Sequence, residues 1–539
     1  TLNGGSLVIN GKTPEALNAA GGVTVSGMTT VSLSDAPSAA GPITVLSYTG
    51  TSPGVTNFAA TGIRNPISSD SGTAFTVSGN SATRTWAGTE SSAWDIGTSA
   101  NWTEGDNRFY QGDAVVFGDT AAGTVTITGT VIPSSITINN SETFDYFFTA
   151  AANSSIGGTG GLTKNGAGIA TLGGANTFTG NIAINAGTLK ASNTQAFGAN
   201  PKTITVADGA TLDTNGALNL SRDYDVVAIG TGAGTGAVVN GSNTGQNFGF
   251  RSLTLTGNTT IGGISRFDIR PITAGAAFIN LNGHTLTKTG DNWISIVDGK
   301  IESPGIIEVL GGTLALTRNV ITGSDPINVK TGGTLHFENY NSGSYERPVN
   351  VENATLRAGG GTFVMNPTVT LTGSNFIGVT GGSALNLVNA LQGTGTFEKN
   401  EGGNLIFSAD NAYSGALKIN AGTVQLGNNG TTGSVGSTSV QLVGTTSGLI
   451  FQRTDDVTFS AQITGEGYTG PDHNPSALTK NGTNTLTLTG NNTFSGSTRL
   501  NTGTIAIGSE HQVFGTGRVD MRTGTIRSSD MTAREVNNE

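Results

Sequence analysis

Cysteine is absent from this 539-residue chain. No disulfide can hold it together, and thiolate-based zinc sites are not available. The absence suits a chain exported through an envelope, where stray disulfides would hinder passage. Proline supplies only 14 residues, and although glycine supplies 83 it does not recur at every third place, so a collagen helix is excluded. Charge is sparse, at 12% of residues, and aromatics make up 6%. The 26 basic and 36 acidic residues leave a net charge of −10 with no basic cluster, which argues against a nucleic-acid partner. No apolar run reaches the ~18 residues of a membrane-spanning helix. Thr1 opens strand-like sequence (TLNGGSLVI) with no signal-peptide pattern, as expected of a processed or truncated N-terminus. Hydrophobic residues are 35%, but low hydrophobicity predicts disorder only alongside high charge. A folded, elongated protein with a thin core is expected.

What the chain does have is a repeated phrase. Residues 162–189 read LTKNGAGIATLGGANTFTGNIAINAGTL, and residues 478–505 read LTKNGTNTLTLTGNNTFSGSTRLNTGTI. A third copy, FEKNEGGNLIFSADNAYSGALKINAGTV, occupies 397–424, and a worn fourth starts at Lys288. Lys164, Lys399 and Lys480 share one position, and Phe178, Tyr413 and Phe494 share another. Gly187, Gly422 and Gly503 share a third. Within each copy apolar residues alternate with polar ones, as Leu486 and Leu488 do around Thr487. Period two marks short strands with one buried face and one wet face. Between them lie NG, GG, GNN and NAG turns, where Gly and Asn tolerate positive φ.

Weaker echoes such as GATLD, GGTLHF and GGSALNL continue the pattern along the chain. Turn–strand units at short spacing predict an all-β parallel β-solenoid, each coil burying its inner face on its neighbours. At ~20–25 residues per coil and ~4.8 Å per rung, the rod would be on the order of 100–130 Å long. A propeller needs an even period of ~40–50 residues, which the spacing of the copies does not show. Leu172, Phe178, Ile184, Tyr413, Ile419, Leu488 and Phe494 are the expected core plugs.

The phrase TKNGxGxxTLxGxNTFxGxxxINAGTL resembles the passenger-associated repeat of autotransporters. The resemblance implies a single-stranded right-handed parallel β-helix on the outer surface of a Gram-negative-type bacterium. It speaks to architecture more than to activity. The family's terminal membrane β-barrel has no counterpart in the closing MTAREVNNE. Both ends read as coils. Open strand edges would let copies add head to tail into a filament, unless the chain is a fragment or short loops cap it.

Three expected sections follow: an N-terminal solenoid section at 1–84, a Trp-rich excursion or register change at 85–120, and the main solenoid at 121–539. Trp86, Trp94 and Trp102 fall within the second, and W–W–NW–GDxVxFG segments accompany this repeat in similar surface proteins. These rings are either a carbohydrate platform or plugs over a core seam. Catalytic constellations are thin. Arg266, Asp268 and Arg270 in RFDIRP share a strand face and read as a solvated ion-pair row or as a proton-abstracting site on an acidic sugar. Asp223 and Asp225 share a face as well, whereas the adjacent Asp455 and Asp456 suit a turn. Ser71 in SSDSGTAF is faintly similar to a serine-protease nucleophile, but nothing marks a partner among His284, His336, His473 and His511. No catalytic residue, metal site or cofactor is expected, and calcium-binding nonapeptides are missing. The expected function is an extracellular structural or adhesive rod, meeting surface polysaccharide, a neighbouring cell or copies of itself. A polysaccharide-active enzyme or a carbohydrate-binding surface is the alternative.

Overall fold

The computed structural model describes all residues except 1, 3, 10–16, 20–22, 34–41, 218–223, 233, 248, 272–276, 340–343, 414, 469–475, 509–511, 531, 535, 537 and 539. Thr, Val and Ile recur where the chain is extended, because branched side chains pack well on a pleated surface. The only helical element among the described residues is one 3-10 turn, Val55–Asn57. No helix among them is long and apolar enough to cross a membrane.

The chain divides into two units, Thr1–Gly275 and Ala276–Glu539. In the first, parallel ladders climb coil by coil. Ser135–Ile138 pairs with Gly161–Lys164, then Ile182–Ile184, then Lys202–Val206. A second ladder runs from Tyr146–Ala150 through Ile169–Leu172 and Thr188–Ala191 to Thr211–Asp213. The second unit repeats the scheme. Gly312–Thr317, Gly333–Glu338, Thr355–Gly359 and Ser374–Val379 pair successively in parallel. So do Asn404–Phe407, Gly422–Gly430, Ser447–Arg453, Leu478–Lys480 and Thr498–Leu500. Each unit is thus a parallel β-solenoid, as the alternation predicts.

All seven expected core plugs are buried. Each fully buried Leu, Ile or Phe contributes about 1.5–3 kcal/mol. The repeat glycine is dictated by the neighbouring coil. Gly187, Gly422 and Gly503 adopt φ of 64°, 70° and 78°. A Cβ on them would lie 2.5, 2.4 and 2.3 Å from the carbonyl oxygens of Gly166, Gly403 and Gly482. Any side chain there would prise two coils apart.

Residues 1–84, expected to be solenoid throughout, hold two kinds of pairing. Gly5–Ile9, Thr29–Leu33 and Phe58–Thr61 pair in parallel. Ile43–Tyr48 and Arg64–Asp70 both pair antiparallel with Ala74–Asn80. Period-two alternation serves either arrangement equally, so the sequence pattern does not separate them.

The repeat's lysine does not face solvent. Lys164, Lys288, Lys399 and Lys480 are at most 1% exposed, and each ammonium is received by carbonyls at a coil corner. Lys399 Nζ donates to Asn400 O and Glu401 O at 2.7 Å and to Ala421 O of the next coil at 3.1 Å. Lys288 Nζ donates to Thr289 O, Gly290 O and Gly311 O at 2.9–3.0 Å. Burial lowers the pKa of all four from 10.5 to about 8. The native chain therefore releases these protons before the unfolded chain does. Below pH 8 both states hold them and the cost of burying the charge is constant. Between pH 8 and 10.5 the unfolded state holds more protons, so stability rises with pH. Beyond pH 10.5 the lysine contribution is spent, and the trend reverses at higher pH because buried Tyr146, raised to about 12, stays neutral while unfolded tyrosines ionise. Urea midpoints should therefore climb between pH 8 and 10.5, level off and then fall. A flat profile would show that the ammonium groups are not desolvated.

Candidate functional sites

The tryptophan segment folds over the first coils of the main ladders. Thr83–Thr85 pairs with Ala114–Phe117, and Ala93–Trp94 pairs with Gly123–Ile127. Trp86, Trp94 and Trp102 are 2%, 0% and 2% exposed. They pack edge to face, with centroids 5.1 Å apart for Trp86–Trp102 and 5.6 Å for Trp94–Trp102. Phe109, Phe117 and Phe148 complete the cluster. The carbohydrate platform expected as one role for these three rings does not form in this arrangement, because stacking on a sugar needs an open aromatic face. Their geometry is that of the plug.

Two polar residues hold this plug. Asn101 is fully buried and makes four hydrogen bonds, accepting from the amides of Glu90 and Ser91 and donating to Ser91 Oγ and Ala93 O. Asp113, also fully buried, accepts from Arg64 Nη2 at 2.7 Å and Arg64 Nε at 3.2 Å, and from the amides of Ala82 and Tyr110 at 2.9 Å. Arg84 Nε lies 3.9 Å away. Burial works against the Arg64 charge, but its hydrogen bonds to Asp113 and Asp106 outweigh that and hold the pKa above its ordinary value. The NW and GD elements of the segment are thus the residues that close it. A cleft of about 650 Å³ opens beside it, lined by Thr61, Arg64, Asn65, Ile96, Asp106 and Tyr110. Arg64 lies 4.7 Å above the Tyr110 ring.

The other sequence candidates are dispersed. Asp268 is fully buried rather than solvated, gripped by Arg266 at 2.9 and 3.1 Å, with Arg270 at 3.8 Å. The expected outward row is therefore an ion pair folded over a buried carboxylate, since Phe267–Ile269 is enclosed on both faces. Asp223 lies outside the described residues, and Asp225 is bound to Arg251 and Ser252. Asp455 holds Arg453 at 2.9 and 2.7 Å, while Asp456 accepts from the Thr485 amide at 2.7 Å. Ser71 closes the turn before Ala74–Asn80, donating to Ala74 O at 3.2 Å. His473 and His511 lie outside the described residues. His284 is half-buried. His336 is 3% exposed, set edge to face with Trp293 at 5.2 Å, and neither ring nitrogen has a hydrogen-bond partner among the described residues. Burial and then Arg357 lower its pKa to about 4.

Sequence reasoning missed the repeat's asparagine, which reads as a turn residue. Asn176, Asn411 and Asn492 occupy one position of the three copies and are buried. Each accepts from an amide of the preceding coil and donates to a carbonyl of the following one. For Asn176 these are Ile156 N at 3.0 Å and Ala196 O at 2.7 Å. For Asn411 they are Leu391 N at 2.6 Å and Ser434 O at 3.0 Å. For Asn492 they are Ile463 N at 2.8 Å and Val513 O at 2.5 Å. One amide thus ties three coils. Its recurrence beside the aromatic plug was the available signal.

Such stitched coils define a repeat-built parallel β-solenoid, and the comparisons place it more closely. The passenger-associated-transport-repeat model matches residues 162–191, 397–426 and 478–507. The chain is 35% identical over 162 residues to the adhesin BmaC autotransporter of Brucella suis biovar 1 (strain 1330). That match takes in 26% of this chain and 4% of the length of that protein. No solved structure matches the chain. Three passenger-associated transport repeats and the similarity to an autotransporter adhesin together support an autotransporter passenger domain.

Proposed function

We propose that this chain is an adhesive and structural passenger exposed at the surface of a Gram-negative-type bacterium. The observation that carries the reading is the repeat itself. Its lysine, asparagine and glycine are all spent on joining coils, so the chemistry that recurs in the motif is mechanical. The similarity to a stretch of an adhesin supports the same role. Beads coated with the purified chain should be retained on cell-surface polysaccharide several-fold better than albumin-coated beads under flow. Equal retention would reject the adhesive half of the reading.

Copies of the chain are also proposed to associate end to end, since exposed edges of parallel strands accept further strands. Electron micrographs over a range of concentrations should then show particles longer than one chain. Uniform single particles would remove this element and leave adhesion standing.

A further inference from the structure

One outer face of the second unit carries a row that no repeat motif marks. Trp293 pairs in register with Thr313, Thr313 with Thr334, Thr334 with Thr355, and Thr355 with Phe376. The residues that follow them, Ile294, Leu314, Leu335, Leu356 and Ile377, are fully buried, so alternation turns the row itself outward. Phe376 is 42% exposed, and Trp293 and the three threonines are half-buried. Among the described residues, no protein group hydrogen-bonds the hydroxyls of Thr313, Thr334 or Thr355. Arg357, two places past Thr355 and on the same face, gives its Nε to Glu401 Oε1 at 2.8 Å. Its two terminal nitrogens have no partner among those residues.

We infer that this row is a binding strip for an extended, uncharged polysaccharide; the inference rests on the adhesive reading above. Three observations point to that ligand. Neighbouring strands lie ~4.8 Å apart, so the threonine hydroxyls recur at a spacing close to the rise per sugar of an extended glycan. Each hydroxyl both donates and accepts, as do sugar hydroxyls. An aromatic residue stands at either end of the row, suited to pack on the C–H faces of the terminal sugars. Charge selects the class. Arg357 is matched by Glu401, and Glu398, next in the row, is matched by Lys418 at 3.0 Å. No unmatched positive group remains on the row to favour a uronic acid.

Glu401 bears this out by its placement. It stands where the other two clear copies have Gly166 and Gly482, and it adopts φ of 65°, uncommon for a residue with a side chain. From there its carboxylate reaches back over Gly378, where a Cβ would come within 3.4 Å of both Arg357 and Glu401. The chain departs from its own repeat to hold Arg357 in place on this face.

The test is calorimetric titration of the purified chain with hexasaccharides. Cellohexaose, mannohexaose and xylohexaose represent extended neutral chains, maltohexaose a curled one, and oligogalacturonate an acidic one. At least one extended neutral hexamer should bind at least 10-fold tighter than the curled and acidic ones. Phe376→Ala and Thr334→Val, each with parental circular dichroism and melting temperature, should each weaken it about 10-fold. If no extended neutral hexamer binds, if the acidic or curled hexamer binds as tightly, or if both folded variants bind as the parent does, the strip is refuted. The bead assay separates the two readings. Retention of both variants at the parental level refutes the strip and leaves adhesion intact, whereas a parent that is not retained refutes adhesion.

Discussion

Asp113→Ala will destabilise the first unit by about 3–5 kcal/mol, the usual cost of leaving buried charge unpaired. Asp113 is fully buried and holds both side-chain ends of the Arg64 contact, with Arg84 close by. Removing the carboxylate leaves two largely buried guanidinium groups with only the partly exposed Asp106 as a carboxylate partner, at 2.9 and 3.1 Å. The amides of Ala82 and Tyr110 lose their acceptor as well. The reporters are built in, because Trp86, Trp94 and Trp102 are enclosed in the same segment. Urea unfolding followed by tryptophan emission should show the red shift at a much lower midpoint. Asp113→Asn keeps the shape and loses the charge, so it should fall between parent and Ala. A midpoint unchanged in Asp113→Ala would mean that the guanidinium groups find water in the native state.

The second large effect is expected at Asn492. Asn492→Ala strips the Ile463 amide of its acceptor and the Val513 carbonyl of its donor, both in the interior. Each orphaned group costs about 1–3 kcal/mol. Hydrogen exchange at the Ile463 amide should accelerate by at least about 10-fold, since 1.4 kcal/mol corresponds to a factor of ten. Exchange at amides of the first unit should not change. Asn492→Asp will not rescue it, because a carboxylate keeps the acceptor but faces Val513 O with a second acceptor. Parental protection at Ile463 would show that the neighbouring coils hold without the side chain.

These two sites differ in how far they were legible beforehand. The solenoid was readable because Leu and Ile alternate with Thr inside ungapped copies, and burial of Leu172, Ile419 and Leu488 follows directly from that alternation. The tryptophan segment was readable as a departure from the pattern. The direction in which its rings point was not, because Trp serves a surface and a seam equally well. Lys164 and Asn176 were visible as recurring letters, yet hydropathy assigns both to the outside. Only the corner carbonyls and the orphan amides of adjoining coils explain why they lie inside. The row from Trp293 to Phe376 was hidden for another reason. Its members belong to coils with little sequence likeness, and only the strand register brings them into line. Asp268 shows the opposite error, since alternation put it outward and the fold closed over it.

The asparagine that ties three coils has a mechanical consequence. A coil cannot be peeled away while its neighbour's amide still grips it, so releasing one turn loosens the next. A solenoid stretch pulled from its two ends would therefore lengthen in jumps of several turns, each needing more force than a single turn would. Between jumps it would behave as a stiff spring, and slack would re-form only when adjacent windings return together.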